Sequence, residues 1–211
     1  MEITEVPEAK RRWFEPACAI VMAVASVATA WCSYQSSNWS EKSRHLATES
    51  NKLDRQAMGR HLEARQMEEA QMRIFMEMID ARMEGNSKLE AFYTNRFEGE
   101  LKDAYGKWLS LNPFDNPSAP PHPFVPTLYR SRYEQEILST RAEAASLEAQ
   151  SHSAEHHASS YLSNTVSFAM VLFFAGTADK FDQRHVRWSA LAFAIAILLF
   201  AAVRMAMLPV V

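Results

Sequence analysis

The stretch Ser163–Leu208, SNTVSFAMVLFFAGTADKFDQRHVRWSALAFAIAILLFAAVRMAML, contains two apolar runs, 163–178 and 188–208, on either side of the charged link 179–187. Each run is close to the roughly 20 residues that a bilayer core asks of a helix. A third apolar run, Ala17–Trp31, extends to 14–34 when its edges are included. Three such runs place the chain in the multi-pass membrane class and make residues 35–160 a segment held against a membrane.

Composition narrows the class of that segment. Mean hydropathy over the 211 residues is −0.24, an average of apolar ends and a polar middle. Residues 35–160 hold 15 Lys/Arg and 19 Asp/Glu with the signs interleaved. No basic footprint for a nucleic acid is present, so nucleic acid is not an expected partner. Of 9 prolines, 6 fall in residues 113–126, and the 5 glycines are scattered. That distribution belongs to long helices with one major corner, an all-α fold. Cys18 and Cys32 lie in one apolar run, about 21 Å apart on a helix, too far to bridge each other.

The first run follows Lys10-Arg11-Arg12. A cleaved signal peptide competes with an uncleaved anchor here, because Ala28-Thr29-Ala30 resembles a cleavage site. Bulky Trp31 follows at once, and two later runs would hold the chain in any case, so the anchor is the reading adopted. Trp13, Trp31, Tyr34, Trp39, Tyr161 and Trp188 are placed as interfacial anchors. Orientation rests on the link, where Lys180, Arg184 and Arg187 concentrate basic charge in a short loop, which should be cytoplasmic. Parity then assigns 1–13 to a cytoplasmic tail, 35–160 to the periplasm, 179–187 to the cytoplasm and 209–211 to the periplasmic end, with spans at 14–34, 161–178 and 188–208.

Within 35–160 the spacing predicts three helices. The first covers 40–84, with Met72, Met76, Ile79 and Met83, extended by Met58 and Leu62, as its packed face. Gly85-Asn86 is a helix-ending composition, and Ser87-Lys88-Leu89-Glu90 reads as a capping box. The second helix, 88–110, has an aromatic face of Phe92, Tyr93, Phe97, Leu101, Tyr105 and Trp108. Residues 111–126 should run extended as a proline-rich corner. Thr127 should cap a third helix, 127–160, that continues into the second span. At 1.5 Å per residue these helices measure about 67, 34 and 51 Å, which closes as an antiparallel three-helix stalk. A second copy of the chain is a candidate to complete it.

Three segments, Thr-Ala-Trp-Cys-Ser-Tyr-Gln-Ser-Ser-Asn-Trp at 29–39, Trp-Leu-Ser-Leu-Asn-Pro-Phe-Asp-Asn-Pro-Ser-Ala-Pro-Pro at 108–121 and Phe-Phe-Ala-Gly at 173–176, carry a resemblance. The chain resembles, over most of its length, a group of uncharacterised bacterial three-span inner-membrane proteins. The resemblance implies the topology and a bacterial origin, and it brings no activity.

The sharpest chemical pattern is His152-Ser153-Ala154-Glu155-His156, an H-x-x-E-H sequence of the kind used by inverted zinc peptidases. Two histidines four apart share a helix face, and Glu155 would be the base. A third ligand is missing, since no Glu follows residue 155 and Asp179 and Asp182 should lie across the membrane. The bland alternative is a solvated helix face. A transition-metal or pH-sensing set of His45, His152, His156 and His157 is the broader possibility, because helical rise puts His45 and His152 about 10 and 14 Å above one membrane surface. The methionines at 58, 67, 72, 76, 78 and 83 suggest a soft-metal site, or packing, or a partner-binding face. Asn164, Thr165 and Ser167 are candidates for bonds across helices, and Arg204 for snorkelling to water. No acidic residue lies deep in the apolar runs, which disfavours proton-coupled transport.

These readings converge on a non-enzymatic inner-membrane scaffold, interaction partner or extracytoplasmic sensor without a resident cofactor. The expected partners are the lipid bilayer and either further copies of the chain or another membrane protein. A channel or transport accessory subunit, and a metal-binding protein or metalloenzyme, are the competing classes.

Overall fold

A computed structural model describes the backbone of residues 8–178, 180–181 and 183–211, with side chains from residue 13 onward. Asp179, Asp182, the side chains of Lys10, Arg11 and Arg12, and most of the expected tail 1–13 lie outside the described residues. Among the described residues there are five helices: α1 Glu8–Met83, α2 Ser87–Thr94, α3 Gly99–Leu109, α4 Glu134–Ala178 and α5 Arg184–Met207. No strand occurs among the described residues. Three of the helices, α1, α4 and α5, are long and apolar enough to cross a membrane.

The expected first span, 14–34, and first stalk helix, 40–84, fall within one helix. α1 runs through 76 residues without a break, Pro16 included. Ser-Tyr-Gln-Ser-Ser-Asn-Trp at 33–39 lacks a glycine or proline to end a helix, and Gln35, Ser36 and Trp39 find partners elsewhere in the chain, described below. α4 likewise runs from Glu134 straight into the second apolar run, as expected. α5 starts at Arg184, so Arg184 and Arg187 occupy its first turns and not a nine-residue loop.

The chain divides into two compact units: Met1–Thr48 with Leu147–Val211, and Glu49–Ser146. In the first unit α1 and α4 are antiparallel, since Ser36 Oγ donates to the Ala158 carbonyl and Ser43 meets Ser151, seven residues on and seven back. α5 lies parallel to α1, with Trp188 beside Phe14 at one end and Pro209 bonded to Trp39 at the other. The core between them is made of small and aromatic side chains: Ala25, Cys32, Ala154, Ala158, Tyr161, Phe168, Val171, Ala175, Ala194 and Ala201. Small residues permit the close helix approach on which packing in lipid depends.

In the second unit α1 and α4 are again antiparallel. Ser50 Oγ donates to the Ala144 carbonyl at 2.8 Å, Arg60 pairs with Glu136 at 3.1 Å, and Tyr129 OH donates to Gln71 at 2.9 Å. α1 ends in a Schellman motif. Gly85 has φ +73, Asn86 N–H reaches back to Ala81 O, and Gly85 N–H to Arg82 O. Asn86, not Ser87, then caps α2 by accepting the Leu89 N–H. The expected capping box is replaced because one asparagine serves both helix ends.

The expected second helix, 88–110, is broken at 95–98. Glu98 is extended, Gly99 takes φ +51, and the kink turns Phe97 into the core. α3 then buries Leu101, Ala104, Tyr105 and Trp108, whereas α2 buries none of its residues and Phe92 is exposed. Both short helices lie beside the C-terminal part of α1. Glu90 pairs with Arg82, while Tyr105 and Trp108 pack edge-on to Phe75. In this unit the structure has α1 and α4 antiparallel, with α2, α3 and the proline segment gathered beside the C-terminal part of α1.

That proline segment is not extended. Asn112 at φ +49 starts consecutive turns, with Asp115 and Asn116 N–H groups on its carbonyl and Ala119 N–H on that of Asn116. Trp108 Nε1 donates to the Pro120 carbonyl at 2.7 Å and ties the segment to α3. Thr127 caps nothing. Residues 125–129 form a turn that buries Phe124 and Tyr129 in the aromatic cluster, and α4 starts only at Glu134.

The packed face of α1 also differs from expectation. Met72, Met76, Met83, Met58 and Leu62 are exposed, and Phe75, Met78 and Ala81 are buried. Methionine spacing marked an apolar face correctly, but α1 carries two, and the phenylalanine-bearing face takes the core.

Candidate functional site

The outward surface of the first unit is apolar. Ile20, Val27, Phe173, Leu199 and Phe200 each expose more than 60 % of their surface, and Val24, Leu162, Val166, Met170, Phe193 and Val203 extend the coat. A coat of this kind is uncommon on a protein surrounded by water and ordinary on one surrounded by lipid. Trp13, Trp31, Tyr34 and Trp188, assigned from sequence as interfacial anchors, are exposed. Lys180 and Arg184 are exposed, and the Arg187 guanidinium lies over the Phe14 ring at 4.4 Å.

Trp39 and Tyr161, assigned to the same anchoring role from sequence, are turned inward and buried. They form a polar belt. Trp39 Nε1 and Tyr161 OH both donate to the Pro209 carbonyl, at 3.0 and 3.2 Å, and Val211 N–H donates to Gln35 Oε1 at 3.2 Å. Asn164, fully buried, donates through Nδ2 to the Ala201 carbonyl at 3.0 Å and to Cys32 Sγ at 3.7 Å. Its Oδ1 has no partner among the described residues. Together these bonds join α1, α4, α5 and residues 209–211. Asn164 was foreseen as an interhelical donor, whereas Thr165 bonds to Leu162 of its own helix. Gln35 and Ser36 were missed, although their place in a polar stretch beside an apolar run was the available signal.

A second polar feature runs along the α1/α4 contact. In the first unit Ser151 Oγ donates to the Ser43 carbonyl at 2.9 Å, and the two hydroxyls are 3.1 Å apart. In the second unit Ser50 occupies the equivalent position. Ser36, Ser43 and Ser50 are seven residues apart, so each presents its hydroxyl where a coiled-coil seam would carry an apolar knob.

The four histidines do not come together as one set. His45, His152 and His156 are exposed, the rings of His156 and His157 meet edge-on at 6.4 Å, and His157 lies tilted against Trp39 with ring centroids 4.7 Å apart. His152 lies 3.9 Å from Glu148 and 3.8 Å from Glu155 on an open helix face. Among the described residues no group of three or more His, Cys, Asp or Glu side chains is close enough to hold a metal ion.

The second unit has a cleft of about 370 Å³, floored by Phe124, Tyr129 and Ile137 and edged by His61, Arg65, Arg130 and Arg141. Burial, with the carboxylates of Glu100 and Glu68 nearby, pushes the Tyr129 phenol up to about 12. A neutral phenol held between Gln71 and the aromatic cluster acts here as structure. Comparison of the chain with family models, curated proteins and solved structures finds no match.

Proposed function

We propose that the chain is a non-enzymatic bacterial inner-membrane protein, anchored by three spans, whose residues 35–160 lie in the periplasm and act as a scaffold, interaction partner or extracytoplasmic sensor. The observation that carries this reading is the contrast between two surfaces. The first unit presents aliphatic and aromatic side chains outward, while the second presents a mixed field of charges with pairs such as Arg60–Glu63 and Lys52–Glu49 near its surface. A lipid-facing coat needs no aqueous ligand, and a charged helical surface suits protein contact in water. Lys180, Arg184 and Arg187 support a cytoplasmic link between the last two spans.

Reporters fused at residues 118 and 183 should report opposite compartments, 118 periplasmic and 183 cytoplasmic. The same compartment for both ends the reading. Purification in a mild detergent should bring down a defined membrane partner or further copies of the chain, and deletion of 49–146 should abolish that association while leaving the protein in the membrane. Retention of every partner after the deletion would move the interaction to the spans.

A further inference from the structure

Where α4 ends and α5 begins, the apolar coat of the first unit folds into a groove of about 540 Å³. Phe173 and Phe174 of α4, Phe181 of the link, and Val186 and Phe193 of α5 line it. Phe174 is half-buried and meets Phe193 edge-on at 4.9 Å, while Phe173, Phe181 and Phe193 stay exposed. Two hydroxyls also line the groove. Thr177 Oγ1 donates to the Phe173 carbonyl at 2.7 Å and Ser189 Oγ to the Val186 carbonyl at 3.0 Å, each within its own helix. With both hydroxyl protons engaged, the groove presents hydrocarbon to whatever fills it.

The end of the groove nearest the link is basic. Lys180 precedes Phe181, and Arg184 opens α5 two residues before Val186. Both are exposed, and neither makes an ion pair among the described residues. Across 179–187, Lys180, Arg184 and Arg187 stand against Asp179 and Asp182, so the link is net basic. From Arg184 to Phe193 the rise along α5 is about 14 Å, close to one leaflet of a hydrocarbon core about 30 Å thick.

We infer that this groove binds one anionic phospholipid, with an acyl chain along Phe173, Phe181 and Phe193 and the phosphate at Lys180 and Arg184. The inference rests on the membrane reading above, because the groove is continuous with the coat that faces lipid. In a bilayer an acyl chain gains nothing by leaving water, so the groove holds it by close packing against aromatic rings. Charge then chooses among lipids. A zwitterionic head group brings its own ammonium up to Lys180 and Arg184, whereas an anionic one meets them with a phosphate alone.

The test uses the full-length chain, purified in mild detergent and stripped of lipid. Titration with dioleoylphosphatidylglycerol should raise the thermal midpoint and saturate, with binding about tenfold tighter than that of dioleoylphosphatidylethanolamine. Native mass spectrometry should find one phosphatidylglycerol retained per chain. Glycerol phosphate, the head group without its chains, should give no shift. Lys180→Gln with Arg184→Gln should bring the two lipids to equal affinity. Ser189→Trp, at an exposed position, should fill the groove and abolish retention with the basic pair intact. Equal affinity in the parent overturns the inference, and so does a preference that survives in the double variant. Lipid still retained by Ser189→Trp overturns it too, as does a shift with glycerol phosphate alone, which would mark a free-phosphate site. If Ser189→Trp instead releases a second copy of the chain or another protein, the groove seats a helix and the inference fails. Selectivity in detergent does not depend on which side of the membrane the link faces. With the 118 and 183 reporters read on the same variants, failure of the site and failure of the topology are told apart.

Discussion

Trp39 and Tyr161 share one acceptor, the Pro209 carbonyl. Tyr161→Phe removes one hydrogen bond and should cost about 1 kcal/mol in thermal unfolding in detergent, and Trp39→Phe should cost more because it also empties part of the buried indole's volume. The oxygen has two lone pairs, so the remaining donor still satisfies it after a single change. The double variant leaves it without either, and its loss should exceed the sum of the singles by about 0.5 kcal/mol or more. Strict additivity would show that the two bonds act separately. Tyr129 offers a pH-dependent counterpart. Its phenol is pushed up to about 12 by burial and by the nearby Glu100 and Glu68 carboxylates. An unfolded tyrosine titrates near pH 10, so between about 10 and 12 the folded state holds more protons than the unfolded one. The stabilisation is therefore complete below pH 10 and is lost as pH rises toward 12. Denaturation curves of Tyr129→Phe should be flatter with pH across that window than those of the parent chain.

At the scale of elements, two glycines of α1 and its end separate backbone from packing. A Cβ at Gly59 or at Gly85 would meet nothing within 4 Å. Gly59 is helical, so Gly59→Ala should stabilise by about 0.5–1 kcal/mol through chain entropy. Gly85 sits at φ +73, and Gly85→Ala should destabilise by about 1–2 kcal/mol, the cost of a left-handed L-residue. Chemical denaturation of the two variants against the parent gives both signs in one experiment. The end of α1 was legible because Gly-Asn has a backbone chemistry of its own. The break at 95–98 was not, because Asn95-Arg96-Phe97-Glu98 has no proline and Gly99 read as an internal helix glycine. What turns the chain there is burial of Phe97 against Tyr105, at 4.9 Å between ring centroids, a contact that spacing does not reveal. Choosing between the two apolar faces of α1 also needed a tertiary partner. Phe75 meets Trp108, Tyr105 and Phe124, and that aromatic cluster outweighs the methionines.

At the scale of the whole chain, the three apolar runs and the all-helical class were readable from hydropathy and proline placement alone, since bilayer thickness sets the length of a run. The inward turn of Trp39 and Tyr161 was not, because residue type suggests a lipid interface and the acceptor lies 170 and 48 residues away. The apolar coat of the first unit makes a plain prediction. Alkaline carbonate, which strips proteins held by charge, should leave the full chain in the membrane pellet, and release into the supernatant would contradict the three spans.

The serines of the α1/α4 contact have a thermal consequence. Ser36, Ser43 and Ser151 in one unit, and Ser50 in the other, reach a facing carbonyl or hydroxyl across the contact. Such links bury little hydrocarbon, so they draw little on the water-ordering term that fades on cooling. A joint of this kind should keep its register in the cold, where joints made of leucine loosen.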